Sequence, residues 1–134
     1  MPAMSATVEV TLPGGFVREG RWQRAVWLRP WTGQDELFLQ EEARGLAPAA
    51  RATALLARCL SLQGDGEPVG AAFARSLTVG DREALLLHLR RITLGDPLSC
   101  VLSCPHCAEK LDLDLSIGAL LLPSYPPGAE EYAV

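Results

Sequence analysis

The residues of this chain best suited to chemistry lie in "SCPHCAEKLDLDL", residues 103–115. A Cys-x-x-Cys run serves either as the dithiol of a disulfide oxidoreductase or as half of a zinc site. The redox use needs a helix directly after the motif, whose N-terminal dipole lowers the thiol pKa. Instead Leu111, Leu113 and Leu115 alternate with Lys110, Asp112 and Asp114, the period of a strand. The dithiol reading falls on that point. Two strands flanking Cys104 and Cys107 make a tight hairpin whose thiolates converge on one metal ion.

A structural zinc ion closes four ligand positions. Cys104 and Cys107 fill two, and the other two cysteines of the chain are Cys59 and Cys100. The expected set is therefore Cys59, Cys100, Cys104 and Cys107 around one zinc ion, pinning a helix to a hairpin. His88 is a substitute ligand, and His106 inside the knuckle is expected to point away. The competing reading is that Cys59 and Cys100 are small buried hydrophobes, as free cysteines commonly are.

The elements that must position these thiols follow from periodicity. "ATVEVTLP" alternates Val8, Val10 and Leu12 as a half-buried strand, and "PGG" punctuates it. "RWQRAVWLRP" is a second strand, giving an antiparallel hairpin with a long tip. "TGQDELFLQEEARG" is a helix capped by Thr32, with Asp35 and Glu36 in its first turn and Gly45 as its stop. "LAPAARATALLARCLSLQG" is the next helix, with Ala52, Leu55, Leu56, Cys59 and Leu60 as its apolar stripe. "AAFARSL" is at most a short helical turn. "TVGDREALLLHLRRITLGD" is the third helix, with Thr78 and Asp81 as a capping pair and Gly95 at its end. "PLSCVLSC" and "KLDLDLSI" are the last two strands.

The expected fold class is α+β: an N-terminal hairpin, three helices and a C-terminal zinc-knuckle-like hairpin near residues 98–116, with the hairpins able to join in one small sheet. One domain spans 1–122, and 123–134 form an extended or disordered tail rich in Pro and Gly.

Other candidates are weaker. Trp22, Trp27 and Trp31 interleave with Arg29 and its neighbours. Core and turn packing explains them, and so does a partner-facing patch, since tryptophan and arginine are enriched at interface hot spots. Asp112 and Asp114 read as the solvated face of a strand, and Asp81 as a cap. No phosphate loop, Ser/His/Asp order or HExxH pattern appears, so no enzyme is expected. A net charge of −4 argues against a dominant nucleic-acid footprint. The N-terminal residues show no signal pattern, and no apolar run approaches the ~20 residues of a membrane span, so synthesis in the cytoplasm is expected.

In order, "VEVTLPGG", "RAVWLRPWTGQDE", "ATALLARCL", "LTVGDREALLLHLRRITLGD" and "LSCPHCAEKLDLDL" resemble the phage T4-type base plate protein family of contractile phages and extracellular contractile injection systems. The resemblance covers about residues 6 to 120. Its motif positions are Leu28, Arg29, Pro30, Thr32, Gly33, Asp35 and Glu36; Gly80, Asp81 and Arg82; and Cys59, Cys104 and Cys107. It implies a role in building the baseplate or hub, as a component or an assembly factor, with other baseplate or tail proteins as partners and no small-molecule substrate. It also implies incorporation in a phage or phage tail-like particle.

Overall fold

The computed structural model describes residues 7–64 and 66–124. The ten C-terminal residues of the expected tail lie outside the described residues. Strand β1 (Val8–Arg18) pairs antiparallel with β2 (Arg21–Leu28). The turn between them is Glu19-Gly20, both left-handed at φ 54° and 72°. Two such residues match the right-handed twist of the flanking strands, so the hairpin closes tightly. The long tip expected from "PGG" is not there. Those residues sit inside β1, where Leu12 to Gly15 stand opposite Arg24 alone, between the Thr11–Ala25 and Phe16–Gln23 pairs. The glycines supply an inward bulge rather than a turn.

Helix α1 (Gly33–Glu41) follows, shorter than expected because the chain turns before Gly45. Helix α2 (Pro48–Cys59) ends earlier than its apolar pattern suggested. Leu60 is extended, at φ −95° and ψ 134°. Leu60 and Ser61 form β3, which pairs with Leu28 and Trp27 of β2. Helix α3 (Ala71–Ser76) is the short element anticipated at "AAFARSL", and α4 (Val79–Leu94) stops at Gly95, where φ is 98°. Sheet, α2 and α4 enclose one core of Leu12, Val26, Leu28, Leu55, Leu56, Cys59, Leu60, Leu85 and Leu89. Phe16 meets Phe73 edge-on, with ring centroids 5.0 Å apart. Full burial of each such leucine is worth about 1.5–3 kcal/mol, so this cluster dominates the stability.

Strands β4 (Pro97–Ser103) and β5 (Lys110–Ser116) form a separate two-stranded sheet. The two hairpins therefore do not join, because β3 takes the free edge of β2. The second hairpin is tied down at its base. Helix α5 (Ile117–Leu120) buries Ile117, whose N–H donates to the Asp96 carbonyl at 3.0 Å. The Asp96 carboxylate accepts from Gly118 N–H at 3.0 Å and from the Ser116 hydroxyl. The described fold is thus α+β, with five helices rather than three and with two separate antiparallel sheets.

Candidate functional site

The hairpin tip is built by backbone hydrogen bonds around the two thiols. Cys104 N–H donates to the Glu109 carbonyl and Ala108 N–H to the Cys104 carbonyl, both at 2.8 Å. Ala108 takes φ 61°, a left-handed value uncommon for a residue with a Cβ. The N–H groups of Cys107 and His106, with the Cys107 thiol, donate to Cys104 Sγ and draw that thiol below its ordinary pKa. Cys107 is exposed and Cys104 half-buried.

The other two cysteines stand elsewhere. Cys59 lies in the main core, where burial pushes its thiol up to about 11 against the pull of Arg29. Cys100 lies on β4, four residues before Cys104. Four residues of extended chain span about 13 Å, too far for two thiolates on one ion. His88 is buried on α4, its Nδ1 3.1 Å from Arg91 Nη2. Among the described residues no three His, Cys, Asp or Glu side chains form a group able to hold a metal ion. The structure therefore brings Cys104 and Cys107 together but not with Cys59 and Cys100.

Above the tip, β4 and β5 present two unlike faces. Leu98–Leu115, Cys100–Leu113 and Leu102–Leu111 are opposed pairs on one face. Ser99, Val101, Ser103, Lys110, Asp112 and Asp114 occupy the other, where Ser99 Oγ donates to Asp114 at 2.9 Å. On the apolar face Leu102 is 50% exposed, Leu111 48%, Leu113 37% and Leu115 38%.

Among the described residues two carboxylates, Asp35 and Asp81, are fully buried, and both are engaged. Asp35 accepts from Arg29 Nη1 and Nη2 at 2.6 and 2.8 Å, from Arg58 Nε at 2.9 Å and from Thr32 N–H at 2.9 Å. Arg58 also lies over the Phe38 ring, 4.4 Å from its centroid. One aspartate thereby joins the end of β2, the start of α1 and the end of α2. Burial pushes its carboxyl up, but the bonds to Arg29, Arg58 and Thr32 outweigh it and hold the pKa well below the usual carboxylate range. Because the folded pKa is the lower one, this group's stabilisation is complete above about pH 4, the unfolded value, and fades as pH falls through the folded value. Acid titration followed by circular dichroism should show stability declining below about pH 4. An Asp35→Asn variant should lose that component of the decline.

Asp81 was expected to pair with Thr78 as a cap, and half of that holds. Thr78 Oγ1 accepts Asp81 N–H at 3.2 Å. The carboxylate turns away to the β1 bulge, accepting Gly14 N–H at 2.7 Å and Gly15 N–H at 2.8 Å. Gly15 has φ 99°, and a Cβ there would stand 2.6 Å from the Gln23 carbonyl oxygen. Arg82, next in line, reaches α2 through the Ala49 carbonyl at 3.2 Å and the Thr53 hydroxyl.

The aromatic candidates do not make one patch. Trp22 and Trp27, five apart on β2, point to opposite faces of the sheet. Trp22 is 43% exposed beside Val17, its pairing partner on β1. Trp27 is half-buried against Gly64. Trp31 packs on the core, and its backbone N–H donates to Thr93 Oγ1 at 3.0 Å. Arg29 is committed to Asp35. The sequence reading missed the depth of Asp35 and Asp81. The available signal was an aspartate three residues after a threonine cap in each case, at Thr32 and Thr78.

These features define a small α+β domain whose buried charges brace its own elements, carrying an outward thiol-tipped hairpin. The family model described as T4 bacteriophage base plate protein matches residues 7–131, and the chain belongs to that family. No curated protein and no solved structure matches it significantly. The family is one of phage baseplate proteins. No helix among the described residues is long and apolar enough to cross a membrane.

Proposed function

We propose that this protein is a non-enzymatic component or assembly factor of a phage-like contractile tail or injection-system baseplate, and that its thiol hairpin holds a structural zinc ion. The observation that carries the baseplate reading is the family match across nearly the whole chain. The internal chemistry agrees with it. Asp35 and Asp81, the buried carboxylates, are spent on holding elements together, and Arg29 and Arg82 of the same motifs serve the same purpose. Contacts to tail proteins then fall to exposed surface, chiefly the apolar face of β4–β5 and the exposed Trp22.

The zinc part rests on Cys104 and Cys107, two soft ligands set side by side in a turn that aims backbone N–H groups at sulfur. Cys59 and Cys100 do not fit the same ion, for the reasons of placement given above. Bound zinc would lock the hairpin tip, and the binding free energy would add to folding. Protein purified without added metal should carry zinc. Metal-free protein whose melting temperature is unchanged by Cys104→Ser would remove this part of the reading.

Quantitative mass spectrometry of purified particles tests the baseplate role. A structural component appears at a fixed ratio to the tail proteins. Presence in the producing cells with absence from mature particles favours a transient assembly chaperone. Particles that form with normal yield and function in the gene's absence would exclude both.

A further inference from the structure

Helices α2 and α3 pack side by side and leave an open groove between them. Along it α2 presents Ala50, Ala54 and Ala57, four and three residues apart and so on one side of the helix. One part of the groove, about 470 Å³, lies between Ala50 and Ala54 of α2 and Ala71 of α3. A second part, about 450 Å³, continues to Ala57 and Phe38. Ala54 and Ala71 line both, so the two parts are one channel. From Ala50 to Ala57 it follows α2 for about 10 Å. The walls carry charge of one sign. Arg75 and Arg82 line the first part and Arg29 and Arg58 the second, and among the described residues no carboxylate lines either. The chain as a whole has 16 acidic residues against 12 basic ones, so the groove reverses the overall charge. Asp35, behind Arg29 and Arg58, cancels part of this. Arg75 is exposed and pairs with no described carboxylate. Glu83 enters only in the next hollow, beyond Arg82.

We propose that this groove receives an acidic amphipathic segment of another protein, its apolar side on the alanines and its carboxylates against Arg75, Arg82 and Arg58. The groove's own chemistry carries the proposal, and the baseplate reading supplies only the place to look for the partner. Methyl groups on the floor let a second backbone approach closely, as in the seating of an amphipathic helix in an apolar groove. Guanidinium groups pair with carboxylates through two parallel hydrogen bonds, which fixes register as well as charge. A cleft of one charge sign with apolar walls concentrates its field on an approaching opposite charge. The apolar floor in turn selects a segment with apolar side chains over a bare polyanion.

Photo-crosslinking in the producing cells tests this. The full chain carries Ala50→p-benzoylphenylalanine or, separately, Ala71→p-benzoylphenylalanine at the groove's rim, and the joined peptide is sequenced by mass spectrometry. The expected result is a segment of another protein with apolar positions on one side and more Asp and Glu than Lys and Arg. A synthetic peptide of that segment, and its counterpart with every carboxylate changed to the amide, are then titrated onto the purified natural chain. The acidic peptide should bind about tenfold more tightly at low salt, the size of one charge-assisted pair. That advantage should vanish near about 1 M salt. Arg75→Glu, with circular dichroism showing the fold intact, should remove the same advantage. A neutral or basic segment, a second copy of this chain, or residues 125–134 of the same chain would each overturn the proposal. So would equal binding of the two peptides, or no joined peptide from either position. Failure here with the chain at a fixed ratio in particles leaves the baseplate role standing. An acidic segment from a protein foreign to the particles upholds the groove and counts against that role.

Discussion

Replacing Asp35 with alanine should lower the unfolding free energy by about 3–5 kcal/mol, the largest effect expected of any single polar substitution here. The reason is the company the carboxylate keeps. It is fully buried, and it neutralises Arg29 and Arg58 at once, with four bonds of 2.6 to 2.9 Å. Removing it leaves two guanidinium groups facing each other across a cavity, each with about a third of its side chain exposed. That exposure softens the penalty through solvent screening, which favours the lower end of the range. Chemical denaturation at neutral pH measures it. Asp35→Asn keeps the volume and one acceptor and should cost less than alanine. A loss under about 1 kcal/mol for the alanine variant would mean the arginines re-solvate freely, and the cluster would not be a brace.

The second large effect belongs to Asp81. Asp81→Ala removes the acceptor for two buried backbone N–H groups, those of Gly14 and Gly15. Unsatisfied buried donors cost about 1–3 kcal/mol each, so a loss of about 3 kcal/mol is expected. The β1 bulge interrupts the register between Thr11 and Phe16, opposite Arg24. The loss should therefore be local before it is global. Hydrogen exchange at Gly14 and Gly15 should accelerate more than exchange in the centre of α4. Equal acceleration everywhere would show that the bulge and α4 unfold as one unit, with the carboxylate acting only on total stability.

Both residues belong to the stretches that carried the family resemblance, "LRPWTGQDE" and "GDRE". Their chemistry is structural. Asp35 links three elements and Asp81 links two, and Arg82 adds a third through Thr53.

How much was legible beforehand follows from range along the chain. Val8, Val10 and Leu12 and the Leu111–Leu115 alternation announce strands, because side-chain direction there is set two residues away. The stripe Leu55, Leu56, Cys59 and Leu60 announces a buried helix face for the same local reason, with three or four residues between neighbours. Thr32 and Thr78 mark helix starts through bonds to the next turn. Each of these depends on contacts within a few residues. The end of α2 was misjudged because Leu60 satisfies a helical stripe and a strand register equally well, and pairing with Leu28 of β2 decided between them.

The amino-acid sequence by itself determined the α+β class, the membership in a baseplate family and the exclusion of a helix after Cys107. Tertiary structure alone decided the rest, because the deciding partners are distant in the chain. Asp81 meets Gly14 across 67 residues, and Asp35 meets Arg58 across 23. It also decided the fate of the cysteines. Four in one small chain suggest one closed metal site, but the fold spends Cys59 on the core and Cys100 on a strand face. What remains at the tip is the pair of thiols of Cys104 and Cys107.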